Sequence, residues 1–184
     1  MLGLFIGSCD LLKPRDSQLP NQGTTANPPA NDPKTVITNL EASFANKNVN
    51  DYEKIFSDTG SVGKSYVFVP TQKAAGVYSA IFSHWTVESE INYFNKATKS
   101  ASIIFPPVVT TVEPWTTTTY HSDSALIELD YKVFLSPTTY SGHSRFYLLP
   151  NKNTGIWVMY RWEDLQSSPA DTLTWSDMKG QIGQ

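Results

Sequence analysis

Apolar residues recur at two different spacings along this chain, and the change of spacing divides the folded part into helices and strands. Val36, Leu40 and Phe44 lie on one face of a helix that we expect to extend to about residue 46. From Ala101 onward, apolar and polar residues alternate, as they do in strands that bury one face. The pattern therefore predicts an α+β fold in which the helices come first.

Two helix starts can be read from capping residues. Asp32 followed by Pro33 is typical of an N-cap and a first helical position, because the missing N–H of proline is no loss there. Asn50, with Glu53 three residues later, repeats the cap signal and predicts a second, shorter helix. Residues 57–64 contain two glycines and are expected to form a loop.

The remaining elements are predicted from short apolar runs. We expect a strand at residues 66–69 and a third helix from Ser83 or Thr86 to about Lys99. Nothing but strand is expected after that helix, with strands near residues 103–105, 108–112, 125–135, 145–149 and 156–162. The connections 136–143 and 151–155 are short, which predicts antiparallel pairing. The polar run from Trp115 to Tyr120 is expected to be a solvated edge strand or an exposed hairpin.

The composition excludes several classes of function. The formal net charge is −3 and the basic residues are scattered, so no binding surface for nucleic acid is visible. No apolar run approaches about 18 residues, so no transmembrane helix is predicted. The single cysteine excludes an internal disulfide, and the histidines show no metal-ligand spacing. No metal or other cofactor is therefore expected.

The single cysteine, Cys9, follows a short apolar run and two small residues. The stretch Ile6-Gly7-Ser8-Cys9 resembles the lipobox of bacterial lipoproteins. The resemblance implies that residues 1–8 are removed and that lipid on Cys9 anchors an exported domain to a membrane of the bacterial cell envelope. No Lys or Arg precedes the apolar run, which is expected if Met1 is an internal methionine of a longer signal peptide. The alternative is that residues 1–12 form a buried strand with an inert thiol.

The chain is expected to divide into three regions. Residues 1–8 are the signal remnant, residues 9–32 are the lipidated cysteine with a flexible linker, and residues 33–184 form one folded domain. The segment 13–32 holds four prolines among polar residues, and Leu19 is its only large apolar residue. Such a segment cannot bury enough surface to offset its ordering entropy, so we interpret it as a tether.

Short motifs in the folded part resemble those of one superfamily. They are Leu40-Glu41-Ala42-Ser43-Phe44 with Asn48, Tyr52-Glu53-Lys54-Ile55-Phe56-Ser57-Asp58, and Gly155-Ile156-Trp157-Val158-Met159. These motifs and the order of the elements are similar to those of the nuclear transport factor 2-like, or cystatin-like, fold. The segment 157–165, followed by Thr174-Trp175, further resembles a group of uncharacterised bacterial lipoproteins with this fold. The resemblance implies a cone in which N-terminal helices pack on a curved antiparallel sheet.

Members of this superfamily bind small molecules in a conical cavity, catalyse isomerisation, cyclisation or dehydration there, or bind protein partners through the sheet. The steroid-isomerase-like branch carries a general-base aspartate directly before a proline on the first strand. Here Val69 precedes Pro70, and valine cannot accept a proton. The resemblance therefore argues against that chemistry, and no catalytic residue is assigned.

Six residues are candidates for ligand binding on the expected inner face. They are Trp85, Tyr131, Phe146, Trp157, Met159 and Arg161. Alternation along the last strand places Arg161 and Glu163 on the face of Trp157 and Met159, which the resemblance orients into the cone. An inward guanidinium could bind a carboxylate or phosphate. The alternative is that Arg161 only pairs with Glu163 and that the aromatic residues are core.

Three hypotheses of function follow. The leading one is a lipid-anchored, non-catalytic domain that binds a small apolar ligand or an envelope protein. The alternative is an enzyme of the polyketide-cyclase or dehydratase type, in which Glu163 or Asp58 acts together with Tyr131. The third is a homodimer packed sheet to sheet with a vestigial pocket. His84, His121 and His143 are expected at the surface without a catalytic role.

Overall fold

The computed structural model describes residues 26–99, 107–120, 123–167 and 173–183. Helices come first, as predicted, but one helix also follows the last strand. The helices are α1 Pro33–Asn46, α2 Val49–Glu53, α3 Thr59–Val62, α4 Gln72–Val77, α5 Ser79–Phe82, α6 Val87–Lys99 and α7 Trp175–Ile182. The strands are β1 Val67–Val69, β2 Val108–Tyr120, β3 Ser124–Leu135, β4 Thr138–Pro150 and β5 Trp157–Leu165.

The five strands form one sheet in the order β1-β5-β4-β3-β2. Strands β2 to β5 pair antiparallel, as the short connections predict. Strand β1 instead pairs parallel to β5, with Val67 opposite Arg161, so the expectation of a purely antiparallel sheet is wrong. The argument from short connections applies only to consecutive strands, and it does not constrain this pair.

Helix α1 has the start and the buried face that the sequence predicts. Asp32 accepts a hydrogen bond from the backbone N–H of Thr35, and Pro33 is the first helical residue. The helix ends where Lys47 adopts the left-handed conformation, with φ of 52°. The buried apolar residues of this helix are Val36, Ile37, Leu40 and Phe44.

Helix α2 is capped by Asn48 rather than by Asn50. The Asn48 side chain accepts hydrogen bonds from the backbone N–H groups of Asn50 at 3.1 Å and Asp51 at 3.3 Å. Asn48 follows the left-handed Lys47 directly and has the extended backbone of a cap. The predicted start was therefore displaced, although the helix itself is confirmed.

Short helices that the sequence analysis did not predict lie between α2 and α6. Helix α3 falls within residues 57–64, which were expected to be a loop, and α4 and α5 follow β1. Each of the three has only four to six residues, too few to show a helical period. Helix α6 begins at Val87, directly after the predicted start at Thr86.

The strands of the meander are longer than predicted. The alternation in β3 is confirmed, since every second residue from Ala125 to Val133 is buried. The Thr-rich run that was expected as an edge belongs to β2, which is an edge strand with an irregularity between Val112 and Thr116. The predicted strand at 103–105 lies outside the described residues.

Helix α7 contradicts the prediction that only strands follow the third helix. It begins at a capping box in which the backbone N–H of Thr174 donates to Asp177 Oδ2 at 2.8 Å. Residues 174–180 are all buried, and Ser176, Asp177 and Lys179 are among them. Its apolar residues Trp175, Met178 and Ile182 have helical spacing, but they span only two turns and have buried polar residues between them, so the apolar face is a weak signal in the sequence.

Aromatic rings from both layers meet around α7. Trp175 of α7 lies 5.9 Å from Phe44 of α1 and 4.6 Å from Trp162 of β5, measured between ring centres. Trp162 also contacts Phe68 of β1 at 5.6 Å. The C-terminal helix therefore packs between the N-terminal helices and the sheet and fills the inside of the cone. Within the described ranges, no helix has both the length and the apolar character needed to cross a bilayer.

Candidate functional site

Strand β5 contains one extra residue, which reverses its alternation midway. Leu148 of β4 lies opposite Met159, whereas the adjacent Tyr147 lies opposite Arg161, so Tyr160 has no partner in the pairing. A bulge of this kind moves all following residues to the other face of the sheet. The burial of β5 agrees, since Trp162 is fully buried and Arg161 is not.

The expectation that Arg161 faces into the cone is therefore wrong. Its side chain is 40% exposed on the outer face, and its Nε donates a hydrogen bond to Glu163 Oε1 at 2.7 Å. Arg161 and Glu163 do share a face, as predicted, but the bulge separates them from Met159. The pair matches the alternative interpretation, in which Arg161 only compensates the charge of Glu163.

A buried ion pair occupies the inside of the cone. Lys179 Nζ donates a hydrogen bond to Glu90 Oε1 at 2.5 Å, and both side chains have 0% exposure. The same carboxylate accepts hydrogen bonds from the hydroxyls of Tyr52 at 2.8 Å and Tyr66 at 2.7 Å, and from Trp85 Nε1 at 2.7 Å. Both oxygens of Glu90 are thus bonded by side chains of this chain.

The Lys179 ammonium also lies between two aromatic rings. Its nitrogen is 3.8 Å from the centre of the Phe68 ring and 3.7 Å from that of Trp162. Burial lowers the pKa of Lys179 to about 8, and the nearby Glu90 carboxylate opposes this shift. Burial, reinforced by the charge of Glu90, raises the pKa of Tyr52 well above its ordinary value, so this hydroxyl remains a donor.

A second buried carboxylate, Asp164, joins α7 to the sheet. Its Oδ2 accepts hydrogen bonds from the backbone N–H of Ser176 at 2.6 Å and from the Ser176 hydroxyl at 2.5 Å. Its Oδ1 accepts from the Tyr131 hydroxyl at 2.6 Å, and that hydroxyl accepts the backbone N–H of Trp175 at 2.7 Å. Burial raises the pKa of Asp164, although these hydrogen bonds oppose the shift.

The six predicted ligand-binding residues lie in three different environments. Four of them are buried inside the cone: Trp85, Tyr131, Phe146 and Met159. Arg161 lies on the outer face. Trp157 lines an open cleft. Contact of these residues with a ligand stays a prediction.

The cleft beside Trp157 has a volume of about 890 Å³. It lies between the segment before α1, the helix α2, the start of α6 and the β4–β5 hairpin. Its buried apolar residues are Ala30, Val36, Ile55, Phe56, Tyr66, Trp157 and Val158. Both the volume and the apolar lining are typical of sites for small organic ligands.

Polar contacts hold the segment before α1 in place as one wall of this cleft. The backbone N–H of Asn27 donates to Asp51 Oδ2 at 2.9 Å, and its side-chain amide donates to the carbonyl of Asn39 at 2.9 Å. The carbonyl of Ala30 accepts the backbone N–H of Trp157 at 2.8 Å. Residues 27–30, which the sequence analysis assigns to the linker, therefore pack against the domain.

A second wall is formed by the residues that follow α2. The carbonyl of Ile55 accepts the backbone N–H of Met159 at 2.7 Å, and the backbone N–H of Ser57 donates to the carbonyl of Met159 at 2.9 Å. Phe56 and Met159 consequently form a parallel bridge. This segment therefore pairs with β5 on the same edge as β1 and forms a wall of the cleft.

Five charged side chains line the cleft: Asp51, Glu53, Lys54, Asp58 and Glu88. Asp51 and Lys54 form an ion pair at 2.9 Å. Burial would raise the pKa of Asp51, but the hydrogen bond from Asn27 and the charge of Lys54 outweigh it and hold the pKa below its ordinary value. The other three acids are exposed. The cleft therefore carries an excess of negative charge.

Ser57 places an unpaired hydroxyl in the wall of the cleft. The residue is 1% exposed, and its Oγ has no hydrogen-bond partner among the described residues. Buried polar atoms are nearly always paired, and an unpaired one costs about 1–3 kcal/mol.

The acids named for the enzyme hypothesis are not brought together with Tyr131. Asp58 lines the large cleft, Glu163 lies on the outer face, and Tyr131 is bonded to Asp164 in the core. A smaller cleft of about 570 Å³ at the ends of β1 and β5 is lined by Val69 and Glu163 among others. Val69 itself offers no group that can transfer a proton, but the buried carboxylate of Asp164, whose pKa is raised by burial, also lines this smaller cleft.

The histidines agree with a surface location where they are described. His84 is exposed, and His143 lies on the outer face with Nδ1 2.9 Å from Asp130 Oδ1. His121 and Cys9 lie outside the described residues. Within the part of the chain that the structure describes, no group of three or more His, Cys, Asp or Glu side chains could hold a metal ion.

Sequence reasoning missed most of the cleft because its residues come from separate segments and no spacing connects them. Residues 53–58 and 156–158 of two fold-family motifs also line the cleft, although only their resemblance to the fold was used. Asn27 was a further signal, since a polar residue before two prolines starts a rigid stretch of chain. The same composition is typical of a linker, so this signal did not distinguish the two.

Comparisons with known proteins identify the fold. No sequence profile of a known family and no curated protein matches this chain. A nuclear transport factor 2-like protein of unknown function from Shewanella oneidensis has a TM-score of 0.50 at 7% identity, over 71% of this chain and 93% of that chain. A protein of unknown function with a cystatin-like fold from Nostoc punctiforme has a TM-score of 0.50 at 11% identity, over 74% and 89%.

A third solved structure supports the same assignment. It is a nuclear transport factor 2-like protein of unknown function in nutrient uptake from Rhodospirillum rubrum, with a TM-score of 0.52 at 9% identity, over 74% of this chain and 99% of that chain. Identities this low show the fold and not the activity. The chain therefore contains a nuclear transport factor 2-like domain, with the cystatin-like fold of helices packed on a curved, mixed sheet.

Proposed function

We propose that this protein is a lipid-anchored, exported binding protein whose domain holds a small ligand in the large cleft without catalysing a reaction. The fold is consistent with a ligand-binding or an enzyme-like domain. One observation carries the proposal: the inside of the cone is filled by α7 and its partners, whereas the cleft beside Trp157 is open.

The cleft has the properties of a binding site for a small organic molecule. Its volume of about 890 Å³ is within the range of known ligand pockets. Tyr66 and Trp157 give it aromatic surface, and the unpaired hydroxyl of Ser57 gives it a polar group that a ligand can satisfy. The apolar surface of the cleft favours binding of an apolar body, and its polar side chains can fix the orientation of that body.

The absence of catalysis is proposed because the two buried carboxylates of the cone are fully engaged. Glu90 accepts four hydrogen bonds from side chains, and Asp164 accepts bonds from Ser176 and Tyr131 on its two oxygens. A general base must be within hydrogen-bond reach of its substrate. Neither carboxylate borders the large cleft.

Anchoring is proposed from the lipobox-like stretch at Cys9. The segment that follows it joins the domain at Asn27, which lines the large cleft. The tether between Cys9 and Asn27 would allow the cleft to stay within a few tens of ångströms of the bilayer. The proposed ligand is therefore one that is found at a membrane surface or close to it.

Ligand binding is tested on the full chain with Cys9→Ala, which removes the lipid acceptor. The protein is purified from the fraction of bacterial cells that does not sediment with membranes, and its mass is measured by native mass spectrometry. We expect an added mass that is lost on denaturation. Thr154→Trp, which places an indole in the cleft lining, should abolish it, whereas Asn153→Trp in the same loop should not, because Asn153 does not line the cleft. An added mass that survives Thr154→Trp would exclude this cleft as the site.

Anchoring is tested separately by labelling growing cells with an alkyne fatty acid. We expect the chain with wild-type Cys9 to take up label and to sediment with membranes. The Cys9→Ala variant should do neither. Label that persists in Cys9→Ala, or an unlabelled wild-type chain, would contradict the lipoprotein proposal without affecting the proposal for the cleft.

A further inference from the structure

We propose that the ligand of the large cleft is an organic cation, in which a protonated amine or guanidinium is attached to an apolar body. This inference rests on the proposed function, because it assigns a chemical class to the ligand of the same cleft.

The charged residues of the cleft are unbalanced. Four carboxylates and one ammonium line it, and the ammonium of Lys54 is already paired with Asp51 at 2.9 Å. Glu53, Asp58 and Glu88 add three formal negative charges, and all three side chains are exposed. This excess of negative charge attracts cations to the cleft and repels anions.

These acids come from separate parts of the fold and converge on one cleft. Glu53 is the last residue of α2, Asp58 precedes α3, and Glu88 is in the first turn of α6. The helix dipole accounts for Glu88, because a negative charge is favourable at a helix N-terminus. It does not account for Glu53, which lies at the C-terminal end of its helix, where a cation would be favoured.

The wall of the cleft offers two further groups that suit a cation. The aromatic rings of Tyr66 and Trp157 can attract an ammonium or guanidinium through their π-electrons. The buried Ser57 Oγ lacks a partner and can accept a hydrogen bond from an N–H donor of the ligand. The apolar residues Ile55 and Val158 would then contact the uncharged body of the ligand.

The test uses three probes that share an indole body and differ in charge: tryptamine, which is cationic, tryptophol, which is neutral, and indole-3-acetate, which is anionic. Each is titrated into the full Cys9→Ala chain and followed by the backbone amide signals in nuclear magnetic resonance. We expect tryptamine to bind at least about ten-fold more tightly than indole-3-acetate, and to lose affinity as the salt concentration rises. Shifts should be largest at the cleft residues Ser57, Glu88 and Trp157.

A pair of double variants separates the cleft acids from the net charge of the protein. Glu53→Gln with Glu88→Gln removes two charges at the cleft. Asp123→Asn with Asp130→Asn removes two exposed acids that do not line it. Preference for tryptamine should fall at least about three-fold in the first variant and stay unchanged in the second. Equal losses in the two would show only a general attraction of cations and would overturn the proposal.

The remaining outcomes show whether the cationic ligand class, the cleft as a binding site, or both are wrong. Equal affinity for all three probes, with shifts at the cleft, would overturn the cationic ligand and leave the cleft as a binding site. Tighter binding of indole-3-acetate would do the same. Shifts away from the cleft, or none with any probe, would overturn both this inference and the binding site in the proposed function.

Discussion

The ammonium of Lys179 and the carboxylate of Glu90 form an ion pair in which neither side chain has any exposed surface, and this pair joins α7 to α6. A buried pair adds little net stability compared with apolar residues of the same size, because desolvation offsets the attraction of the charges. The consequence of this ion pair concerns the position of α7 and not the net stability of the fold. Within the hydrogen-bonded cluster around Glu90, Lys179 fixes where α7 sits relative to the helices and the sheet.

Removal of the ammonium should leave the Glu90 carboxylate buried and uncompensated. We expect Lys179→Met to lower the free energy of unfolding by about 3–5 kcal/mol, measured by urea denaturation. The double variant Lys179→Met with Glu90→Gln should recover part of this loss, because the stranded charge is then gone. A loss below about 1 kcal/mol in the single variant would mean that the pair is not buried as described.

Stability should rise with pH in the range where Lys179 titrates. Burial lowers the pKa of Lys179 from 10.5 to about 8, so between these values the unfolded chain binds a proton that the folded chain has released. The free energy of unfolding therefore increases with pH in this window, and the contribution is absent below it. Chemical denaturation at several pH values from 7.5 to 9.5 measures this effect. The free energy of unfolding should rise more with pH for wild type than for Lys179→Met. A wild-type curve that falls relative to the variant would show that the attraction of Glu90 outweighs burial.

The bulge at Tyr160 predicts very different effects for two adjacent residues. Arg161→Ala removes an exposed ion pair and should change the free energy of unfolding by no more than about 1 kcal/mol. Trp162→Ala removes a fully buried ring and should cost about 3–5 kcal/mol. Both values are measured by chemical denaturation. The reverse order would place Arg161 inside the cone and contradict the bulge.

Two buried serines should respond in opposite ways to loss of the hydroxyl. Ser57→Ala removes an unpaired polar atom, so the free energy of unfolding should stay constant or rise by up to about 1 kcal/mol. Ser144→Ala should lower it by about 1–3 kcal/mol, because Ser144 Oγ accepts a hydrogen bond from Trp162 Nε1 at 3.0 Å. If the ligand-free chain loses as much stability with Ser57→Ala as with Ser144→Ala, the Ser57 hydroxyl has a partner.

Elements whose signals are local could be predicted from the sequence. Helix α1 carries its cap at Asp32 and its apolar stripe within one segment, and β3 shows its alternation over its whole length. Helix α7 also has local signals, namely the cap pair Thr174 and Asp177 and the apolar residues Trp175 and Met178, but they span only two turns and were not recognised. Its position in the fold could not be predicted from them. Its buried residues Ser176 and Lys179 are polar, and their partners Asp164 and Glu90 lie far away in the chain.

Of the six candidate ligand-binding residues, only Trp157 lines the large cleft. Counting every second residue along β5 placed Trp157 and Met159 on one face of the sheet. The same rule placed Arg161 on that face, which is wrong. Nothing in the order of apolar and polar residues marks Tyr160 as the extra residue, because the bulge is fixed by pairing with β4. The cleft depends on Asn27 and on residues of α2 and α6, which only the tertiary fold brings together.

The alternation of inner and outer residues in strand β5 thus changes phase once, at Tyr160. Deletion of this one residue would leave a regular ladder in which Arg161 still lies opposite Tyr147 and Trp162 opposite Phe146, so the outer and inner positions of these two residues would not change. The change of phase also affects alignment with other proteins of this fold. At identities of 7% or 11%, a one-residue gap near this point decides whether every later residue of the strand is compared with an inner or an outer one. Equivalent positions in β5 should therefore be counted outward from Tyr160 and not from the start of the strand.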